Sequence, residues 1–224
     1  MTSKQWAGVL VLIVLPAPAA AETGHHAHTY DFESFRIRME DPARAQWQKP
    51  AEVVTALRLH RGDRVADIGA GTGYFTALLA QVVGESGTVY AADIDTRAVR
   101  YMRSRFRREK APQIRVIQAS ADDPKLPARV DLIFICDTWH HIEHRIDYAR
   151  RLRRSLRKNG RLVIVDFKPD ADPTIGPPKE MRVSAEQISD ELRQGGFRVA
   201  QEPDFLPMQY MLTATVGQQP EPNK

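Results

Sequence analysis

One cysteine, Cys136, stands in 224 residues, so no disulfide can form within the chain. It lies in an apolar run, where a lone thiol reads as a small buried hydrophobe. Long apolar stretches are also missing. The run at residues 7–15 falls well short of the roughly 20 residues a spanning helix needs, which excludes a polytopic membrane protein. Neither sign of charge dominates: 32 basic residues face 28 acidic ones, a net charge of +4, too little to point to a nucleic-acid partner. There is no internal repeat and no low-complexity linker. With 42% hydrophobic and 27% charged residues the chain has the balance of a globular protein rather than a disordered one. Its length suits one α/β domain and is too short for two.

Residues 1–21 carry Lys4, the apolar run, Pro16 and Pro18 among alanines, and Ala19-Ala20-Ala21 ahead of Glu22. These are the three marks of a secretory signal peptide. The expectation is an exported, periplasmic protein with no stable membrane insertion after cleavage; an uncleaved anchor in the inner membrane is the alternative. No cysteine stands near the cleavage point, so a lipoprotein is excluded. Residues 22–40 read as a flexible segment. It contains His25, His26 and His28, whose imidazoles could chelate a metal, but a mobile terminus lacks the surrounding groups that hold a site, and no metal is assigned.

The main body, residues 41–216, begins with helical signals: Asp41-Pro42, a segment with Trp47, and a second helix over residues 51–59 after Pro50. Then comes Val65-Ala66-Asp67-Ile68-Gly69-Ala70-Gly71-Thr72-Gly73-Tyr74, an apolar strand ending in an acid and three alternating glycines. Such a turn opens a helix whose free N–H groups face the space the missing Cβ atoms leave, a cradle for a nucleotide-sized ligand. A dinucleotide fingerprint runs G-x-G-x-x-G. Here Gly69, Gly71 and Gly73 alternate and Asp67 precedes them, which suits a ligand with a cationic amino-acid head. About 20 residues on, a second apolar strand ends in Asp93-Ile94-Asp95, where a carboxylate can accept from ribose hydroxyls.

Helices are expected over 74–83 and 95–108, strands over 88–93, 114–118 and 130–136, and a basic helix over 145–158 capped by Asn159-Gly160. The strand over 160–167, a proline-rich loop at 169–178, a helix at 184–194 and two strands around 203–207 complete the body; residues 217–224 read as a frayed tail. The many arginines of the 95–108 helix are spread around its turns and read as a solvated face. The strand over 130–136 is nearly continuously apolar, as a central parallel strand should be. It ends in Asp137-Thr138-Trp139-His140-His141, where open α/β sheets place ligands. Asp137, His140 and His141 are candidates for orienting a substrate or removing a proton, and either His could equally cap or pack on the next helix.

With the D-x-G-x-G-x-G loop and the second acidic strand end, the chain resembles the class I S-adenosylmethionine-dependent methyltransferases over roughly residues 41–216. It is similar to bacterial methyltransferases sharing Trp47-Gln48-Lys49-Pro50, Asp122-Asp123-Pro124-Lys125-Leu126-Pro127 and Phe205-Leu206-Pro207-Met208-Gln209-Tyr210. The resemblance implies an α/β, Rossmann-like doubly wound sheet of seven strands with the last antiparallel. It also implies S-adenosyl-L-methionine as cofactor. Asp67 with Gly69, Gly71 and Gly73 would hold the methionine part, Asp93 the ribose, and Ser120, Ala121 and Asp122 the adenine. Leading helices would cover the cofactor mouth, making Trp47 and Gln48 candidates for that cover, with Trp47 as a core residue the other reading. The expected activity is methyl transfer to a small-molecule acceptor. Two further readings are a metal-assisted O-methyltransferase using Asp137 and Asp166, and an exported binding protein that keeps the fold without catalysis.

Overall fold

The computed structural model describes residues 31–201 and 204–216. The signal-peptide reading, the histidines at 25, 26 and 28 and the tail from 217 lie outside the described residues.

Seven strands form one sheet among the described residues: β1 (Arg64–Ile68), β2 (Thr88–Asp93), β3 (Ile114–Gln118), β4 (Val130–Cys136), β5 (Leu156–Phe167), β6 (Phe197–Gln201) and β7 (Gln209–Val216). Their order is β3-β2-β1-β4-β5-β7-β6. The β3-β2-β1-β4-β5 run is parallel, and β7 lies antiparallel between β5 and β6. The expected α/β sheet with an antiparallel last strand is therefore present.

Alternation along β4 divides the core. Ile133 and Ile135 join one apolar cluster, with Tyr148 and Leu152 of α6 (Arg145–Arg154) and Ile188 and Leu192 of α7 (Ala185–Gln194). Leu132 and Phe134 join another, with Val53 of α3 (Pro50–Ala56) and Phe75 and Leu79 of α4 (Tyr74–Val83). A smaller cluster of Ala91, Met102 and Phe106 lies under α5 (Thr96–Arg108). A strand flanked by helices on both faces must be apolar along its buried length, and β4 is from Leu132 to Ile135; Asp131, near its start, pairs with Arg157 at 2.9 Å.

Two expectations are corrected. Residues 32–40 are not part of a flexible segment: Phe32–Glu40 form helix α1, capped by Asp31, whose carboxylate accepts from the Ser34 amide at 2.9 Å and the Ser34 hydroxyl at 2.7 Å. Nor does Asn159-Gly160 cap a helix. Helix α6 ends at Arg154, and β5 starts at Leu156 with a register shift against β4. A Cβ on Gly160 would stand 2.9 Å from the Val130 carbonyl oxygen, so this glycine admits a close strand approach at an irregular pairing instead of closing a helix.

Candidate active site

The parallel strands β1, β2 and β4 end side by side, and three turns there bring the expected residues together. Gly69, Gly71 and Gly73 all have positive φ (73°, 58° and 80°). Their missing Cβ atoms serve different ends. At Gly69 a Cβ would fall 2.2 Å from the Thr138 hydroxyl, and at Gly73 it would fall 2.5 Å from the Phe106 ring. Those two glycines make room for packing. At Gly71 the nearest atom is 3.5 Å away, on Phe35 of α1, so this position alone leaves its space to a ligand.

Asp93 pins the loop. Its Oδ2 accepts from the Gly71 amide at 2.7 Å and its Oδ1 from the Asp95 amide at 2.8 Å. Asp95 in turn caps α5 by accepting from the Arg97 amide at 2.8 Å. Asp67 is buried beneath the turn, where its Oδ2 accepts from the Thr76 hydroxyl at 2.6 Å. Burial pushes the Asp67 carboxyl up to about 7 and raises that of Asp93 as well. An ionised Asp67 is thus a charge in want of a cation. The Thr72 hydroxyl is buried in the same loop without a partner.

Ser120, Ala121 and Asp122 form a tight turn after β3, in which the Ser120 amide donates to the Asp123 carbonyl at 2.9 Å. Asp122 lies on its outer side, accepting from the Ser120 hydroxyl at 2.9 Å and standing 3.9 Å from Arg151. The turn follows directly on residues bound to the Asp93 strand end: the Ala119 amide donates to the Asp93 carbonyl at 2.9 Å and Gln118 Nε2 to the Ile94 carbonyl at 2.9 Å. Ile94, the residue after Asp93, exposes 62% of its surface. An apolar side chain held out beside the Asp93 carboxylate can cover one face of a planar group; its signal in the sequence was only its place after Asp93.

At the end of β4, Asp137 takes a positive φ of 52°. Its carboxylate is clamped from two distant elements: Gln48 Nε2, at the end of α2 (Arg44–Gln48), donates to Oδ2 at 2.9 Å, and Gln209 Nε2, at the start of β7, donates to Oδ1. The Arg44 guanidinium lies 3.4 Å from Oδ2 and over the ring of Tyr74. Burial pushes the Asp137 carboxyl up to about 6 against the opposing pull of Arg44. Both amides turn their nitrogens to the carboxylate, and their Oε1 atoms, with Arg44 Nε, are left buried and unpartnered. Gln48 is therefore a floor residue and not a cover. Trp47 packs half-buried on Phe167 at 5.4 Å, and the side chain above Gly71 is Phe35.

His140 and His141 have different surroundings. His140 is enclosed, with Nδ1 2.9 Å from Asp166 Oδ1. His141 is exposed, its ring 4.2 Å from that of His140. Asp166 also accepts from the Phe167 amide at 2.8 Å. Among the described residues no three His, Cys, Asp or Glu side chains gather into a metal-holding group.

Residues 66–164 match the family described as a methyltransferase domain. Over 132 residues the chain is 33% identical to the ubiquinone/menaquinone biosynthesis C-methyltransferase UbiE of Azotobacter vinelandii, covering 58% of this chain and 51% of that protein. The corresponding protein of Vibrio vulnificus (strain YJ016) is 33% identical over 115 residues, covering 50% of this chain and 44% of its own length. The chain thus spans about half the length of these curated relatives. A crystal structure of a S-adenosylmethionine-dependent methyltransferase from Aquifex aeolicus superposes with a TM-score of 0.77 at 26% identity, covering 84% of this chain and all of that one. S-adenosyl-L-methionine is the cofactor that this domain and fold imply, and the open face at Gly71, the orphaned Thr72 hydroxyl and the carboxylates of Asp67 and Asp93 fit it. Residues 66–164 thus match a methyltransferase domain, and the fold around them is similar to that of the S-adenosylmethionine-dependent methyltransferase from Aquifex aeolicus.

Proposed function

We propose that the protein transfers a methyl group from S-adenosyl-L-methionine to a small-molecule acceptor. The observation that carries this is the Gly71–Asp93 junction: one loop position open to a ligand, its amide held by the carboxylate that would receive ribose hydroxyls. Asp67 holds the ammonium end, and the Asp93 carboxylate exchanges a backbone partner for hydroxyls or shares it with them. When bound, the sulfonium supplies both the methyl group and the driving force. The chain's own task is then to align donor and acceptor and keep water out.

On the acceptor side, the unpartnered Oε1 atoms of Gln48 and Gln209 call for O–H or N–H donors, so the acceptor presents such a group at Asp137. Asp166 accepts the Nδ1 proton of His140 and so leaves Nε2 as the lone pair available to take a proton. The relatives' names describe carbon methylation in quinone biosynthesis. A hydroxylated ring acceptor is compatible with that chemistry and with the Trp47 and Tyr74 rings beside Arg44, Trp47 packing in turn on Phe167. Export through residues 1–21 is part of the same proposal and rests on their composition.

Calorimetric titration tests the core of it. S-adenosylmethionine and its demethylated product should both bind the wild-type chain, and Gly71→Arg should abolish binding while the far-ultraviolet spectrum stays native. No heat from either ligand at millimolar concentration would refute the assignment.

A further inference from the structure

Helix α5 and strand β3 meet at an edge of the sheet, since β3 has a neighbour only in β2. The cluster beneath them is small, and Ile114 and Val116 of β3 remain half-buried, no further strand pairing beyond the edge among the described residues. With Phe106 and Pro112 they floor a groove of about 480 Å³. That is within the roughly 300–1,000 Å³ typical of small-molecule sites.

Cations rim this groove. Arg103, Arg107 and Lys110 line it, and Arg100 extends the row one turn toward the helix start. All four are exposed. Arg100, Arg103 and Arg107 follow the i, i+3, i+7 spacing of one helix face and span about 10 Å. Their neighbours are already matched with acids: Arg97 with Asp95 at 2.8 Å, and Arg105 with Glu109 at 2.8 Å and Glu40 at 3.8 Å. No ion pair engages the four rim cations among the described residues. By sequence these arginines are spread around the turns of the helix and read as a solvated face. The structure sorts them into a paired set and an unpaired row beside an apolar trough.

We propose that this groove docks the protein on anionic phospholipid at a bilayer surface, with phosphates on the Arg100–Lys110 row and acyl carbon against Ile114 and Val116. Charge complementarity selects a polyanion, and the trough selects among polyanions. A nucleic acid would satisfy the cations and leave the aliphatic floor facing its phosphates and sugars without gain. A phospholipid joins an anionic head to an apolar body, as the groove joins a cationic rim to an apolar floor. The inference is independent of the methyl-transfer reading.

Vesicle co-sedimentation tests it with the full chain. Wild-type protein, Arg103→Gln/Arg107→Gln/Lys110→Gln, and a control of equal charge loss elsewhere, Arg129→Gln/Arg154→Gln/Lys158→Gln, are each mixed with phosphatidylcholine vesicles and with vesicles containing 30% phosphatidylglycerol. The groove variant should lose at least tenfold in partitioning to the anionic vesicles relative to wild type, with unchanged binding to the neutral ones and an unchanged melting temperature. The control should lose less than threefold. Equal losses in both triple variants would show that net charge alone is at work, and wild-type protein that ignores phosphatidylglycerol would show no lipid site; either result overturns the proposal. Binding of a 20-base-pair duplex that depends on the groove residues, with no vesicle binding, would assign the row to nucleic acid and overturn it too.

Discussion

Thr138 fills the space that a side chain on Gly69 would need, its hydroxyl 2.2 Å from where a Cβ would stand. The turn after β4 therefore locks the turn after β1, and the two halves of the site are set by one contact. Gly69→Ala should destabilise the fold by about 2–4 kcal/mol through this clash and its positive φ. Thr138→Gly in the same chain should recover part of the loss in urea unfolding. Gly71→Ala, with 3.5 Å of clearance, should cost about 1 kcal/mol. Equal destabilisation at the two glycines would contradict the division between packing and ligand space.

Asp93 and Asp95 should separate by readout. Asp93→Ala should weaken S-adenosylmethionine binding by about 30- to 1000-fold, roughly 2–4 kcal/mol, as charge-assisted hydrogen bonds are lost. It should also lower stability by about 1–3 kcal/mol, because the Gly71 and Asp95 amides both lose their acceptor. Asp95→Ala removes a helix cap, with a cost of about 1 kcal/mol in stability and little change in affinity. Calorimetry paired with denaturant titration checks both residues.

The raised carboxyl of Asp67 makes binding and stability respond to pH in opposite senses. Burial lifts it from 3.8 to about 7 in the folded chain, so the ionised form is disfavoured by folding. The stability it contributes is fully present below the unfolded value and is lost as pH rises from about 4 to about 7. An ammonium-bearing ligand needs the ionised form, so affinity should rise over pH 6–8. Asp67→Asn should melt higher than wild type at pH 8 and show a flat, weak affinity profile. A wild-type affinity independent of pH across that range would remove Asp67 from the cationic end.

Nitrogen-15 spectra of the imidazoles test the His140–Asp166 pair. His140 should show the Nδ1–H tautomer at pH 8, fixed by the carboxylate 2.9 Å away. Asp166→Asn should shift the tautomer balance of His140 and leave His141 unmoved. An Nε2–H form in the wild-type protein would reverse the assigned direction of proton acceptance.

The parts of this fold readable from sequence are those with a local cause. Strands β1, β2, β3 and β4 are short apolar runs ended by acids or turn residues, and the alternating glycines mark a turn whatever packs on it. Helix α1 escaped because Phe32, Phe35, Ile37 and Met39 form no core-facing stripe; none of its residues is buried. Asn159-Gly160 misled because the same glycine serves a helix end and a strand irregularity. The clamp on Asp137 was illegible for a different reason: Gln48 and Gln209 lie 89 and 72 residues from it, and an amide has no periodicity to announce its partner. Asp166 was weighed as a metal ligand, since nothing in the chain order links it to His140 across 26 residues.

The strand order β5-β7-β6 has a consequence for how the protein is made. Strand β6 pairs with β7 and with no other strand, and the edge of β5 stays open until β7 inserts. Residues 209–216 also bring Gln209 to Asp137. A nascent chain that has emerged only as far as residue 201 therefore holds β6 without a partner and Asp137 without one of its two amide donors. Sheet completion and assembly of the acceptor-side chemistry become one late event, and a chain that ends short of residue 209 cannot have finished either.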